Sequence, residues 1–97
     1  MPKPDHYLRP GVTQSAAPNA GSAAFANPFD SGYVEIYSPS GDCFIAIGDT
    51  APTATASSYP VAGGIPTIIH VGAPTDGAKR LAVYTAGSAT VYATPMK

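Results

Sequence analysis

Near its C-terminus the chain reads KRLAVYTAGSATVYATP (residues 79–95), and this stretch decides the fold class. Two runs rich in Val, Tyr and Thr flank the segment Ala86-Gly87-Ser88, whose small residues are typical of a turn. Apolar side chains recur at every second position of each run, as they do in a strand that buries one face. The stretch therefore predicts two consecutive β-strands, with Leu81, Val83 and Val91 facing inward.

The same period of two residues recurs upstream. Residues 33–37 alternate in polarity, and the turn-forming residues 38–42 lead into a second strand at 43–47, which predicts a β-hairpin. Residues 67–71 predict another strand, and residues 53–58 a weak edge strand. Short β-rich runs with turn signals spaced about 8–12 residues apart indicate an all-β fold, a small antiparallel sandwich or a jelly-roll-like barrel. The predicted inward-facing side chains are Val34, Ile36, Ile45, Ile47, Ile69, Val71, Leu81, Val83 and Val91.

The first third of the chain has a different composition. It contains five prolines and an Ala, Ser, Asn and Gly-rich stretch over residues 14–27. Its few large apolar groups are too widely spaced to close a core, and this composition is typical of a flexible segment. We therefore divide the chain into an extended N-terminal arm (residues 1–31) and a β-sandwich or barrel body (residues 32–97). The large apolar groups of the arm are Tyr7, Leu8, Val12, Phe25 and Phe29.

Charge excludes two classes of partner. Five Lys and Arg stand against six Asp and Glu, giving a net charge of −1, and no basic run is longer than Lys79-Arg80. Nucleic-acid binding and attachment to an anionic membrane both need a concentrated positive face, so neither is expected. No apolar stretch approaches the roughly 18 residues of a bilayer span. Residues 1–10 lack the apolar region of a signal peptide, so we expect synthesis in a reducing cytoplasm.

No group of residues predicts a cofactor or metal. The chain has one cysteine, Cys43, within a predicted strand, so we expect a buried and unreactive thiol without a disulfide. His6 and His70 lie far apart in the sequence, and no carboxylates stand at ligand spacing from them. We therefore expect no metal site and no cofactor.

One motif raises the possibility of catalysis. The segment Gly48-Asp49-Thr50-Ala51 loosely resembles the Asp-Thr-Gly of retroviral-type aspartic proteases, which are β-rich homodimers of about this length. In that family two facing Asp carboxylates share one proton. Here Ala51 stands where the family has Gly, and a turn role explains Asp49 better, because Asp commonly bonds its own backbone in turns. We expect a protein that is not an enzyme, with the protease as a remote alternative.

Size and side-chain chemistry together predict association. A body of about this size buries only about 60% of the surface that its unfolded chain exposes, and disulfides, metals or oligomerisation are the usual remedies. With the first two not expected, association with other chains remains. Tyr33 and Tyr37 share the face opposite Val34 and Ile36, and Tyr suits a partly wet interface, although it is also common in strands generally.

The arm supplies the remaining candidates for a partner-binding site. Phe25 and Phe29 are large rings in a polar, small-residue segment, and we expect them to anchor the arm in pockets of a partner. The alternative is that they pack on the chain's own body. Together with Tyr7 and Leu8 of the arm and the two tyrosines of the body, they complete the candidate partner-binding set: Tyr7, Leu8, Phe25, Phe29, Tyr33 and Tyr37.

The chain is similar to one known class of protein in three segments, residues 48–56, 63–66 and 81–95. Within residues 32–95 it resembles the small β-structured virion proteins of tailed bacteriophages, in particular head decoration or cement proteins. The resemblance implies a non-enzymatic protein, made in the host cytoplasm, that binds the outer capsid surface of the virion as a trimer or dimer. It also implies an N-terminal arm that bridges neighbouring subunits of the major capsid protein. A minor tail, fibre or baseplate protein is the alternative.

Overall fold

The computed structural model describes residues 10–29, 32–50, 52–72 and 78–96. Within these ranges the chain forms eight β-strands and no helix, which confirms the expected all-β class. The predicted strands at 33–37, 43–47 and 67–71 and the two in residues 79–95 are all present. The strand bounds are β1 Gln14–Ala16, β2 Asn19–Ala24, β3 Tyr33–Tyr37, β4 Cys43–Gly48, β5 Tyr59–Val61, β6 Thr67–His70, β7 Arg80–Ser88 and β8 Val91–Met96.

The strands form two antiparallel sheets of four strands each. The front sheet has the order β1-β8-β3-β6, and the back sheet has the order β2-β7-β4-β5. Their apolar sides share one core, so the architecture is a sandwich. The expected hairpin of residues 33–47 is corrected, because β3 pairs with β6 and β8, whereas β4 pairs with β5 and β7. The turn between β3 and β4 carries the chain from one sheet to the other, so their apolar sides can face each other across the core.

Alternation identified most of the core. Eight of the nine side chains predicted to face inward are buried, and Ile47 is the exception, with 42% of its surface exposed. The cause lies in the pairing of β5, which accompanies β4 only from Cys43 to Ile45. Ile47 therefore lies beyond the end of its neighbouring strand, on an open side of the sandwich.

Residues 10–29 are part of the sandwich. β1 pairs with β8 and β2 pairs with β7, so this segment adds one strand to each sheet. Phe25 and Phe29 are only 2% exposed and lie in the chain's own core. The expected division into an arm (residues 1–31) and a body (residues 32–97) is therefore corrected for residues 10–29, which belong to the sandwich. Small side chains gave no alternating pattern, but their backbones can still pair with the open edges of β8 and β7, and the two rings fill the core.

A loop crosses the outer side of the back sheet. Ala24, Ala82 and Ala46 stand side by side on β2, β7 and β4. Residues 52–58 pass from β4 toward β2, where the Ala54 backbone N donates a hydrogen bond of 2.9 Å to Ser22 Oγ. Ala54 and Ala82 are both buried, and side chains as small as a methyl group leave room for a loop to approach the sheet closely. The expected edge strand at 53–58 is thus a loop.

Candidate partner-binding face

The outward side of the front sheet brings aromatic side chains together from three strands. In the register of the sheet, Tyr33 lies beside His70 and Tyr37 lies beside Tyr92. Glu35 lies beside Ile68. Because side chains alternate across a strand, all of these point away from the core residues Val34 and Ile36. We call this surface the tyrosine face, formed by Tyr33, Glu35, Tyr37, Ile68, His70 and Tyr92.

The tyrosine face is open to solvent and poor in charge. Ile68 is 47% exposed, Tyr33 45% and Tyr92 39%. The rings of Tyr33 and His70 are in tilted contact with centroids 5.2 Å apart, which limits the freedom of both side chains. Glu35 contributes the carboxylate of the face, and it is partly buried. Exposed aromatic area with little charge matches the composition of protein-interface cores.

The six predicted partner-binding residues have three different outcomes. Tyr33 and Tyr37 lie on the tyrosine face, on the side opposite Val34 and Ile36 as expected. Phe25 and Phe29 lie in the core, so the expected role as anchors in a partner's pocket is corrected. Tyr7 and Leu8 lie outside the described residues, and their contact with a partner stays a prediction.

The predicted partner-binding set left out Ile68, and it left out Tyr92 although period two places that ring on an outward face. Ile68 occupies an outward position of β6, where a strand with one buried face normally carries a polar residue. An apolar residue that breaks the alternation was therefore the available signal. For Tyr92 the signal was weaker, because its place beside Tyr37 depends on the pairing of β3 with β8, which are far apart in the sequence.

A cleft opens at one side of the sandwich, next to the tyrosine face. Its volume is about 310 Å³, and it lies between β6 of the front sheet and β4 and β5 of the back sheet. Ile47 and Tyr59 lie at this side and are largely exposed. The described residues that line the cleft are Ile45, Ile47, Tyr59, Ile68, Ile69 and His70.

The outer side of the back sheet offers less aromatic surface. Phe44 and Tyr84 are in tilted ring contact with centroids 6.0 Å apart, and both are half-buried. The alanine row, formed by Ala24, Ala82 and Ala46, and the loop over it occupy the neighbouring part of this side. The front sheet therefore presents the broader aromatic surface for a partner.

Cys43 is buried, which agrees with the expectation of an unreactive thiol. Burial raises the pKa of the Cys43 thiol, and the charge of Asp42 raises it further, against a hydrogen bond from Ser38 that lowers it. Because the thiolate is the nucleophilic form, a raised pKa keeps this sulfur unreactive near neutral pH.

Asp49 and Lys79 form an ion pair at the surface, between the end of β4 and the start of β7. The side chain of Asp49 is exposed, whereas the protease hypothesis needs two enclosed carboxylates that share a proton. Within residues 10–29, 32–50, 52–72 and 78–96, no group of three or more His, Cys, Asp or Glu residues could hold a metal ion. None of the described elements is a helix with the length and hydropathy of a membrane span.

Comparisons with known proteins leave the function to be argued from this geometry. No protein-family model matches the chain, and no similar protein was found among curated proteins or solved structures.

Proposed function

We propose that this chain is a non-enzymatic structural protein that binds a repeating protein surface through the tyrosine face. The repeating surface is the outside of the head of a tailed bacteriophage, and the protein that forms it is the major capsid protein. The protein then acts on the outer capsid surface of the virion, where it bridges neighbouring subunits. The resemblance of residues 32–95 supports the choice of a phage head, and the tyrosine face supports the mode of binding.

The observation that carries the proposal is the aromatic row of the front sheet. Tyr33, Tyr37 and Tyr92 come from two paired strands and project from one rigid surface. A tyrosine ring buries a large apolar area at low cost in side-chain entropy, and its hydroxyl can still bond at the wet rim of an interface. Binding energy concentrated in a few aromatic side chains is typical of protein–protein contacts.

Repetition makes such a contact strong. A single face of this size provides a contact of modest area, but many copies on one capsid hold one another near their sites through a homo-oligomer, a trimer or dimer. Linked sites of this kind raise the overall affinity by about 10²–10⁴ over a single contact. A protein that works in this way stabilises the capsid by binding alone and needs no catalytic group.

The direct test is the number of copies bound per particle. Heads and tails of the phage that encodes the chain are prepared without it, and each is titrated with the purified full-length protein. The bound fraction is quantified after sedimentation. We expect saturation at a fixed ratio to the major capsid protein. Binding at a few copies per particle, confined to tails, would instead support the tail, fibre or baseplate alternative. Absence of binding to either part would contradict both proposals.

A further inference from the structure

The edge strand β6 lacks the features that keep other sheet edges from pairing. It contains Thr67, Ile68, Ile69 and His70, with no proline, no glycine and no Lys, Arg, Asp or Glu. Its register with β3 continues without a shift from Tyr33 to Ile36. A regular, apolar edge strand of this kind is a template for another strand.

The other three edge strands are each protected. β1 is only three residues long, and the side chain of Gln14 ties it to the backbone of Asn27, donating through Nε2 at 3.1 Å and accepting through Oε1 at 2.9 Å. β2 has an irregular backbone that does not offer a regular edge, because its register with β7 shifts between Asn19 and Gly21 and Ala20 has a φ of 52°. β5 carries Pro60, which has no N–H to offer to a further strand. Of the four edge strands in the described sheets, β6 is the one without such protection against pairing.

The direction of the free backbone groups of β6 follows from one hydrogen bond. The Val71 backbone N donates to Gly32 O at 2.9 Å, just beyond the paired ends of β6 and β3. Since backbone groups alternate in direction along an antiparallel strand, those of Thr67 and Ile69 also point toward β3. The N–H and C=O groups of Ile68 and His70 therefore point away from the sheet, and no described strand pairs with them.

We propose that β6 pairs with β6 of a second copy of this chain, joining two front sheets into one sheet of eight strands. The pairing is antiparallel about a two-fold axis at Ile69, and Ile68 lies opposite the second copy's His70. Ile68 and His70, whose backbone groups point away from the sheet, then exchange N–H···O=C hydrogen bonds with the second copy. A register shifted to place Ile68 opposite itself would bring His70 opposite Pro66, which has no N–H to donate, so this register is less favourable.

The surroundings of β6 favour a second copy over a charged partner. Ile47 and Tyr59 line the cleft and are 42% and 57% exposed, and among the described residues that line it there is no Asp, Glu, Lys or Arg. Two identical apolar sides can approach without repulsion, and the cleft residues of each copy are covered by the other. Contact of the same patch on both subunits is the commonest arrangement of homodimers. This pairing follows from the edge strand alone and stands whether or not the chain binds a capsid, but such a dimer would supply the homo-oligomer of the proposed function.

Sedimentation of the purified full-length protein tests the dimer. We expect a reversible dimer, and we expect Ile68→Lys to weaken it by about tenfold or more, because a charge on an edge strand disfavours pairing. Ser15→Lys is the matched control, since it adds the same charge to the same side of the front sheet but on β1, and it should dimerise as the wild-type protein does. A wild-type protein that stays monomeric at high concentration, or equal effects of the two variants, would overturn the proposal.

Cross-linking tests the register. Residues opposite each other in a bonded antiparallel pair have Cα atoms about 5.5 Å apart, within the range of a disulfide. We therefore expect a mixture of the Ile68→Cys and His70→Cys proteins to form a disulfide-linked dimer on oxidation in higher yield than either protein alone. The unmodified chain, whose thiol is buried at Cys43, controls for other links. Equal yield from the mixture and from Ile68→Cys alone would contradict this register.

Discussion

The rings of Phe25 and Phe29 meet edge to face in the core, with centroids 5.9 Å apart and planes inclined at 80°. Backbone hydrogen bonds fix both residues beside β7, from Phe25 N to Leu81 O at 3.0 Å and from Phe29 N to Lys79 O at 2.7 Å. The pair thus joins the N-terminal third of the chain to the C-terminal strands. Residues 10–29 are held by the same core that holds the rest of the sandwich.

The first prediction concerns the Phe29 ring. Phe29→Ala is expected to lower the free energy of unfolding by about 3–5 kcal/mol, because it leaves a cavity in a small core and removes the ring contact with Phe25. Urea denaturation followed by circular dichroism measures the change. Val12→Ala, at an exposed position of the same segment, should change stability by less than about 0.5 kcal/mol. Equal effects of the two substitutions would place Phe29 outside the core.

The second prediction separates the two parts of the N-terminal third by deletion. Removing residues 2–29 takes away β1, β2 and both rings, so this protein is expected to lose cooperative unfolding. Removing residues 2–9 leaves every described strand intact, so this protein is expected to keep cooperative unfolding. If Tyr7 and Leu8 contact the capsid, the shorter deletion should still weaken binding to heads. A folded, stable protein after the longer deletion would contradict the role given to Phe25 and Phe29.

The third prediction concerns the alanine row under the crossing loop. Ala82→Leu is expected to destabilise the fold by about 1–3 kcal/mol, because the larger side chain has no space beneath the loop at Ala54. Ala86→Leu lies at an exposed position near the end of the same strand, and its effect should stay below about 0.5 kcal/mol. Denaturation of both variants measures the difference. A tolerated leucine at 82 would mean that the loop does not rest on this row.

Local pattern was sufficient to predict the strands of the body, since alternation reports which face of a strand is apolar. Val34, Ile36, Leu81, Val83 and Val91 all lie in the core as expected. Alternation does not report which strands pair, because that depends on contacts between distant parts of the chain. The pairing of β3 with β8 instead of β4 was therefore not visible in the sequence.

The N-terminal strands were missed for a related reason. The sequence of β2 is NAGSAA, whose small side chains carry no alternating signal, and the backbone of β7 provides its partner. At the candidate site, the outward positions of Tyr33 and Tyr37 followed from period two. Ile68 and Tyr92 joined them only through the register of the sheet, which brings three strands together.

The fourth prediction uses the titration of Cys43. Burial raises the pKa of this thiol above its ordinary value near 9.0, so the unfolded chain loses the proton at a lower pH than the folded chain does. The contribution to stability is complete below the unfolded pKa and is lost as pH rises toward the folded pKa, at up to about 1.4 kcal/mol per pH unit.

Urea denaturation at a series of alkaline pH values measures this loss. Subtracting the stability of Cys43→Ala at each pH removes the titration of Tyr and Lys side chains. The stability difference between the wild-type protein and Cys43→Ala is expected to shrink above about pH 9. A difference that stays constant across this range would mean that the thiol ionises equally in both states.

The last prediction concerns the tyrosine face itself. Tyr33→Ser and Tyr92→Ser each remove an exposed ring from the front sheet, and a central aromatic anchor typically contributes about 2 kcal/mol or more to binding. Each substitution is therefore expected to weaken binding to phage heads by about 30-fold, with little change in stability. Tyr84→Ser removes a ring from the outer side of the back sheet and should leave binding near the wild-type level. Head affinity is measured by co-sedimentation. If Tyr84→Ser weakens binding and the front-sheet variants do not, the partner docks on the back sheet and the assigned face is wrong.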